Sequence, residues 1–151
     1  EVLNANELSC RYEVALENYV NITNIEGLTM IDLAKKNILP ASIHYTTRLA
    51  NSINAIKAVS KSLNVSVQKE LLTETLINVR EMKTAVDALD KEIKKASVEK
   101  DIYKKARTYK DKVSACMDKL RSNADTLEMI LDKDVWPLPS YGDLLFEMES
   151  I

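Results

Sequence analysis

Two apolar stripes, each repeating at alternating steps of three and four residues, lie back to back in the second half of the chain. The first is Leu72, Thr75, Val79, Met82, Val86, Leu89, Ile93 and Ala96. The second is Ile102, Ala106, Tyr109, Val113, Cys116, Leu120, Asn123, Leu127 and Ile130. That spacing keeps one side of an α-helix apolar throughout, and a strand, with its period of two, cannot use it. Only a short link near Ser97 separates the stripes. The pair is therefore expected to fold back on itself as a long antiparallel coiled-coil hairpin, with one helix over 66–95 and the next over 98–133. Arms of about 30 residues at 1.5 Å each would reach roughly 45 Å, an elongated shape. Two glycines and three prolines leave few places to turn, and a hydrophobic content of 46% can offset chain entropy. The fold class is all-α: an elongated helical bundle built around that hairpin.

The first third supplies two more helices. Asn4-Ala-Asn-Glu7 has the pattern of a capping box, followed by Leu8, Tyr12, Ala15, Leu16 and Tyr19 at helical spacing, which predicts a helix over 4–21. Thr23 to Glu26 offers a second capping box. The next helix, 24–63, carries Met30, Ile31, Ala34, Ile38, Tyr45, Leu49, Ile53, Ile56 and Leu63. Pro40 falls inside it and removes one backbone donor, so a kink is expected at Lys36 to Leu39. Asn64 to Ser66 read as a turn, and Ser97 as the cap of the last helix, with Glu99 and Asp101 near its positive end. Asp87/Lys91, Asp90/Lys94 and Asp101/Lys105 stand acid-first at i, i+4 and support helicity on the outer faces.

After Asp134 the pattern stops. Val-Trp-Pro-Leu-Pro holds two of the three prolines and the only Trp, and the segment 135–151 is expected to run as an extended docking tail. Its docking residues are Trp136, Pro137, Leu138, Pro139, Tyr141, Leu144, Leu145 and Phe146, too apolar for a free tail. They either close the helical bundle in cis or meet another surface. The chain, read as a single helical domain 1–151, opens on Glu1 without an initiator Met and is expected to be cut from something larger.

Little in the sequence supports chemistry. His44 is the only histidine, so neither a two-His metal motif nor a Glu-x-x-His carboxylate site can be assembled. Gly27 and Gly142 are isolated, and no glycine-rich loop is present to cradle phosphate. Cys10 and Cys116 sit in apolar stripes far apart and read as buried, reduced thiols. Asp132, Asp134 and Asp143 could gather a cation, but read better as caps. The basic run Lys91, Lys94, Lys95, Lys100, Lys104, Lys105, Arg107, Lys110 and Lys112 is interleaved with Asp90, Glu92, Glu99, Asp101 and Asp111 and reads as a solvated tip. With a net charge of −2 the chain carries no nucleic-acid footprint, and no apolar run approaches a membrane span. No catalytic, cofactor or metal residue is assigned.

Trp136-Pro137-Leu138-Pro139-x-Tyr141-x-Asp143-Leu144-Leu145-Phe146 resembles the closing motif of type III glutamine synthetases, the large bacterial form. Arg11-Tyr12-Glu13-Val14, Asn24-Ile25-Glu26-Gly27 and Ile38-Leu39-Pro40-Ala41 resemble the segment that follows the catalytic domain in that family. The resemblance implies the C-terminal helical region of a cytoplasmic enzyme that ligates ammonia to glutamate through a γ-glutamyl phosphate, using ATP and Mg. It also implies that the catalytic residues lie outside this sequence. The implied partners are the catalytic domain and neighbouring subunits of a ring-shaped homo-oligomer. From the residues alone, a free-standing coiled-coil adaptor remains the other reading.

Overall fold

In the computed structural model, which describes residues 4–139 together with Asp143 and Leu145, every regular element is helical. Helix α1 (Ala5–Leu33) passes through a π-helical turn (Ala34–Ile38) into α2 (Leu39–Val59). Helix α3 spans Ser66–Ser97; α4 (Ile102–Thr108) passes through a second π-helical turn (Tyr109–Val113) into α5 (Ser114–Ile130). The all-α class holds, with no strand among the described residues.

The start of α1 forms as its residues dictate. Glu7 donates its N–H to Asn4 Oδ1 at 2.8 Å, and Asn4 donates its own to Glu7 Oε2 at 2.8 Å, a reciprocal cap. The expected helix boundary at 21–24 is absent, and α1 runs straight through it. Thr23 does not cap. It is buried in line with Val20, Gly27 and Ile31, and tertiary packing overrides a local cap worth about 1 kcal/mol.

Pro40 explains the first π turn. Without an N–H it cannot bond the carbonyl of Lys36, and its ring crowds that carbonyl, so one widened turn over Ala34–Ile38 relieves both. The second π turn has no proline. There the amide of Ser114 reaches back five residues to Tyr109 O, and Ser114 Oγ donates to the same carbonyl at 3.2 Å.

Helix α3 ends with Ser97 Oγ donating to Lys94 O at 2.8 Å, so Ser97 terminates one helix rather than capping the next. The cap of α4 is Asp101, whose Oδ1 accepts from the amides of Tyr103 at 2.9 Å and Lys104 at 3.2 Å. A carboxylate accepts those early amides more strongly than a hydroxyl because its charge also meets the positive helix end.

The chain divides into two compact units, one formed by Glu1–Leu33 with Thr84–Ser122 and the other by Ala34–Lys83 with Asn123–Ile151. In the first, the core is Val20, Thr23 and Ile31 of α1, Ala85 to Ala96 positions of the α3 stripe, and Ala106, Tyr109, Val113 and Leu120. Gly27 lets these helices approach. A β-carbon there would stand 2.8 Å from Ile93 Cδ1, so the Ile93 side chain would have to swing away, while Met117 Sδ at 3.7 Å would be in ordinary contact. Tyr109 is buried and donates its hydroxyl to Asn24 Oδ1 of α1 at 2.9 Å.

In the second unit, Ala34, Ile38, Leu39, Leu49, Val65, Met82, Leu127 and Leu131 are buried, together with Ser42 and Thr75. Both polar groups are satisfied locally, Ser42 Oγ donating to Ile38 O at 2.8 Å and Thr75 Oγ1 to Leu71 O at 2.7 Å. Asn123 is the exception: its buried Nδ2 has no hydrogen-bond partner among the described residues. An unpaired buried amide donor costs about 1–3 kcal/mol. Asn123→Leu, close in volume, is expected to raise the stability by about 1 kcal/mol, read as a higher urea midpoint at constant m. A lower midpoint would show that the amide is satisfied.

One face of α1 departs from the sequence reading. Leu8, Tyr12, Ala15 and Tyr19, expected to line the core, are exposed, and the same line continues through Ile22, Glu26, Thr29 and Leu33, all exposed. The core takes the adjoining side of the helix, along Val20, Thr23, Gly27 and Ile31, with Leu16 half-buried in line with them.

Candidate docking site

Helix α5 closes with the amide of Leu131 donating to Leu127 O at 2.9 Å, after which Asp132 organises the chain. Its carbonyl accepts from Val135 N at 2.9 Å and Trp136 N at 3.0 Å, while its Oδ1 accepts from Asp134 N at 3.2 Å. Lys133 to Val135 therefore form a turn, and the extended path expected over 135–151 is corrected at Val135 and again at Asp143 and Leu145, which are helical. Proline biases only the residue before it, which leaves Val135 unconstrained. Arg48 of α2 approaches Asp132 at 3.4 Å and ties this turn to the same unit.

Trp136, Pro137 and Leu138 are half-buried, whereas Pro139 and Leu145 are exposed. Tyr141, Leu144 and Phe146 lie outside the described residues. Glu128, Leu131, Lys133, Trp136, Leu138 and Asp143 line an open hollow of about 270 Å³. Lys133 and Asp143 pair at 3.2 Å on its rim. Two such exposed pairs add little stability, but they fix where charge sits around the indole. The hollow is smaller than the roughly 300–1,000 Å³ typical of small-molecule sites.

Several ionisable groups of this region are held in ion pairs. Asp132 and Asp143 are engaged by Arg48 and Lys133, and no group of three or more His, Cys, Asp or Glu among the described residues could hold a metal ion. His44 is exposed on α2. In the basic run, Lys94 pairs with Asp90 at 2.6 Å, Lys95 with Glu92 at 2.5 Å and Arg107 with Asp111 at 3.4 Å. The hydrogen bond from Lys95 holds the Glu92 carboxyl below its usual range. Asp101 is committed to amides rather than to Lys105. Tyr103 is not a free stacking platform: its ring lies 5.7 Å from that of Tyr12 at a 38° tilt, and its hydroxyl donates to Glu13 at 3.4 Å.

Both thiols are free, but Cys10 is exposed, contrary to expectation, because α1 buries its other side. Cys116 is half-buried, and desolvation, reinforced by the nearby Glu92 charge, pushes its thiol up. Thiolate is the reactive form, so a thiol reagent at neutral pH is expected to label Cys10 first and Cys116 only slowly in the folded chain. Equal rates would contradict these two environments.

Sequence reasoning missed the meeting of Tyr12, Tyr19 and Tyr103 with Arg107, Lys110 and Asp111 around an open groove of the first unit. The signal was present: Tyr12 and Tyr19 lie two turns apart on α1, while Tyr103 begins the one short helix that touches it.

Residues 1–57 match the family described as glutamine synthetase C-terminal domain. A glutamine synthetase from Bacteroides fragilis is 33% identical over 149 residues, which is 96% of this chain and 20% of the relative. A glutamine synthetase from Butyrivibrio fibrisolvens is 30% identical over 142 residues, 94% of the chain and 20% of the relative. A type-3 glutamine synthetase from Dictyostelium discoideum is 28% identical over 149 residues, again 96% of the chain and 20% of the relative. The chain thus spans about a fifth of the length of the curated relatives it matches. No helix among the described residues is long and apolar enough to cross a membrane.

Proposed function

Because this chain resembles the C-terminal region of the glutamine synthetase family, the type-3 form among them, along 96% of its length, we propose that it serves such an enzyme as a structural, assembly-supporting helical region. In this reading the ligation of ammonia to glutamate through a γ-glutamyl phosphate belongs to the rest of the enzyme. ATP and Mg are bound there, and this region braces the catalytic body and presents helical surface to neighbouring subunits of a cytoplasmic ring.

The observation that carries the reading is a pairing of two facts. The region is well packed, with Leu89, Leu127, Met82 and Val86 fully buried, yet it presents the half-buried Trp136 and Leu138 around a hollow, with no metal-holding group of His, Cys, Asp or Glu among the described residues. Proline at 137 and 139 limits the freedom of that segment before any partner arrives, which lowers the entropy cost of docking. The adaptor reading has no separate observation in its favour.

The test is a type-3 glutamine synthetase whose C-terminal region is this chain, carrying Trp136→Ala and Leu138→Ala. Assembled enzyme at a fixed concentration is expected to fall roughly tenfold, about 1.4 kcal/mol, while turnover per assembled particle is unchanged. Unchanged assembly with lost turnover would refute the structural role.

A further inference from the structure

Helix α1, helix α4 and the second π turn border an open groove of about 680 Å³ within the first unit. Tyr12 and Tyr19 stand along one side of it, roughly 10.5 Å apart on α1. Tyr103, Arg107, Lys110 and Asp111 supply the other side, and Leu16 and the buried Ala106 complete the lining. The rings of Tyr12 and Tyr103 touch, yet they remain 54% and 46% exposed, and Tyr19 remains 38% exposed. That contact holds two rings in place without covering them. Lys110 and Asp111 belong to the π turn Tyr109–Val113, which no proline imposes, and single π turns are frequent at functional sites. Charge on the rim is uneven. Arg107 reaches Asp111 at 3.4 Å, whereas Lys110 has no ion pair among the described residues. Glu13, which accepts from the Tyr103 hydroxyl at 3.4 Å, stands outside the lining.

We propose that this groove receives a segment of the synthetase polypeptide lying outside these 151 residues, one that sets an apolar side chain among the three tyrosines and a carboxylate on Lys110. Tyrosine and arginine are enriched where one protein surface docks on another, since a phenol offers an apolar face and a hydroxyl together. An acidic segment meets Lys110 as an opposite charge, while a basic one would meet both Arg107 and Lys110 as like charges. The chain spans about a fifth of the length of the relatives it matches, so such a polypeptide has ample sequence to supply the segment. Covalent continuity also gives that segment a high local concentration, and an open groove then needs only modest intrinsic affinity. This assignment rests on the proposed role of the chain within such an enzyme, and adds to it the surface and the chemistry of one contact.

The test places a benzophenone amino acid at the position of Tyr19 in a type-3 glutamine synthetase whose C-terminal region is this chain. After irradiation, the cross-linked peptide is identified by mass spectrometry. The expected adduct lies on a peptide outside these 151 residues that carries Asp or Glu. Lys110→Glu is expected to lower its yield roughly fivefold, with helical content unchanged because the side chain is exposed. Lys110→Arg should preserve it. An adduct confined to these 151 residues, in the same or a second copy, overturns the proposal. So does no adduct at all, an adduct on a peptide lacking Asp and Glu, or a yield indifferent to Lys110→Glu. The assembly test of Trp136→Ala with Leu138→Ala reads the other unit, so it separates a failure of the structural role from a failure of this groove.

Discussion

Tyr109→Ala is expected to destabilise the chain by about 3–5 kcal/mol, the loss of a fully buried aromatic ring plus the cavity it leaves. The ring is 1% exposed at the junction of α4 and the second π turn, and its hydroxyl donates to Asn24 at 2.9 Å. Tyr109→Phe keeps the ring and strands the Asn24 acceptor, at about 1 kcal/mol. Burial pushes the phenol above its ordinary value near 10. In the unfolded chain it therefore ionises first, so its contribution is complete below that ordinary value and is lost as pH rises through the elevated folded one. Stability of the native chain should fall in that alkaline window, and Tyr109→Phe should fall less. Identical alkaline profiles would remove Tyr109 as the cause.

The second large effect lies in the other unit. Leu127 of α5 is fully buried, and Leu127→Ala is expected to cost about 2–5 kcal/mol. Met129, two residues on, is 87% exposed, and Met129→Ala should change stability by less than about 0.5 kcal/mol. The contrast is the measurement: urea midpoints for the two variants should differ by most of the range of the transition. Similar midpoints would mean that α5 packs through a different side.

The elements most easily read from sequence were those with one apolar side. The stripes Thr75 to Ala96 and Ala106 to Leu127 have polar residues opposite them, so periodicity names the buried side, and the structure buries Met82, Val86, Leu89, Tyr109, Val113, Leu120 and Leu127. Asn4 and Glu7 were legible because a capping box is local. Helix α1 was not, because apolar residues recur on both of its sides and periodicity cannot rank them. Gly27 lies on the buried side, where its missing side chain admits Ile93 Cδ1; an isolated glycine inside a helical pattern is tolerated at a cost rather than ending the helix. Misreading that side also misplaced Cys10. At the candidate docking site, the composition of the Trp-Pro segment was legible, but the turn at Lys133 to Val135 was not, since it depends on the Asp132 carbonyl rather than on either proline.

The proposal that this region supports an enzyme without itself holding a reaction site has a direct test. The direct measurement incubates the folded 151-residue chain with glutamate, ATP, ammonia and magnesium and quantifies glutamine. No glutamine above the protein-free control is the expected result. Sustained glutamine formation that scales with the concentration of the chain would contradict the account.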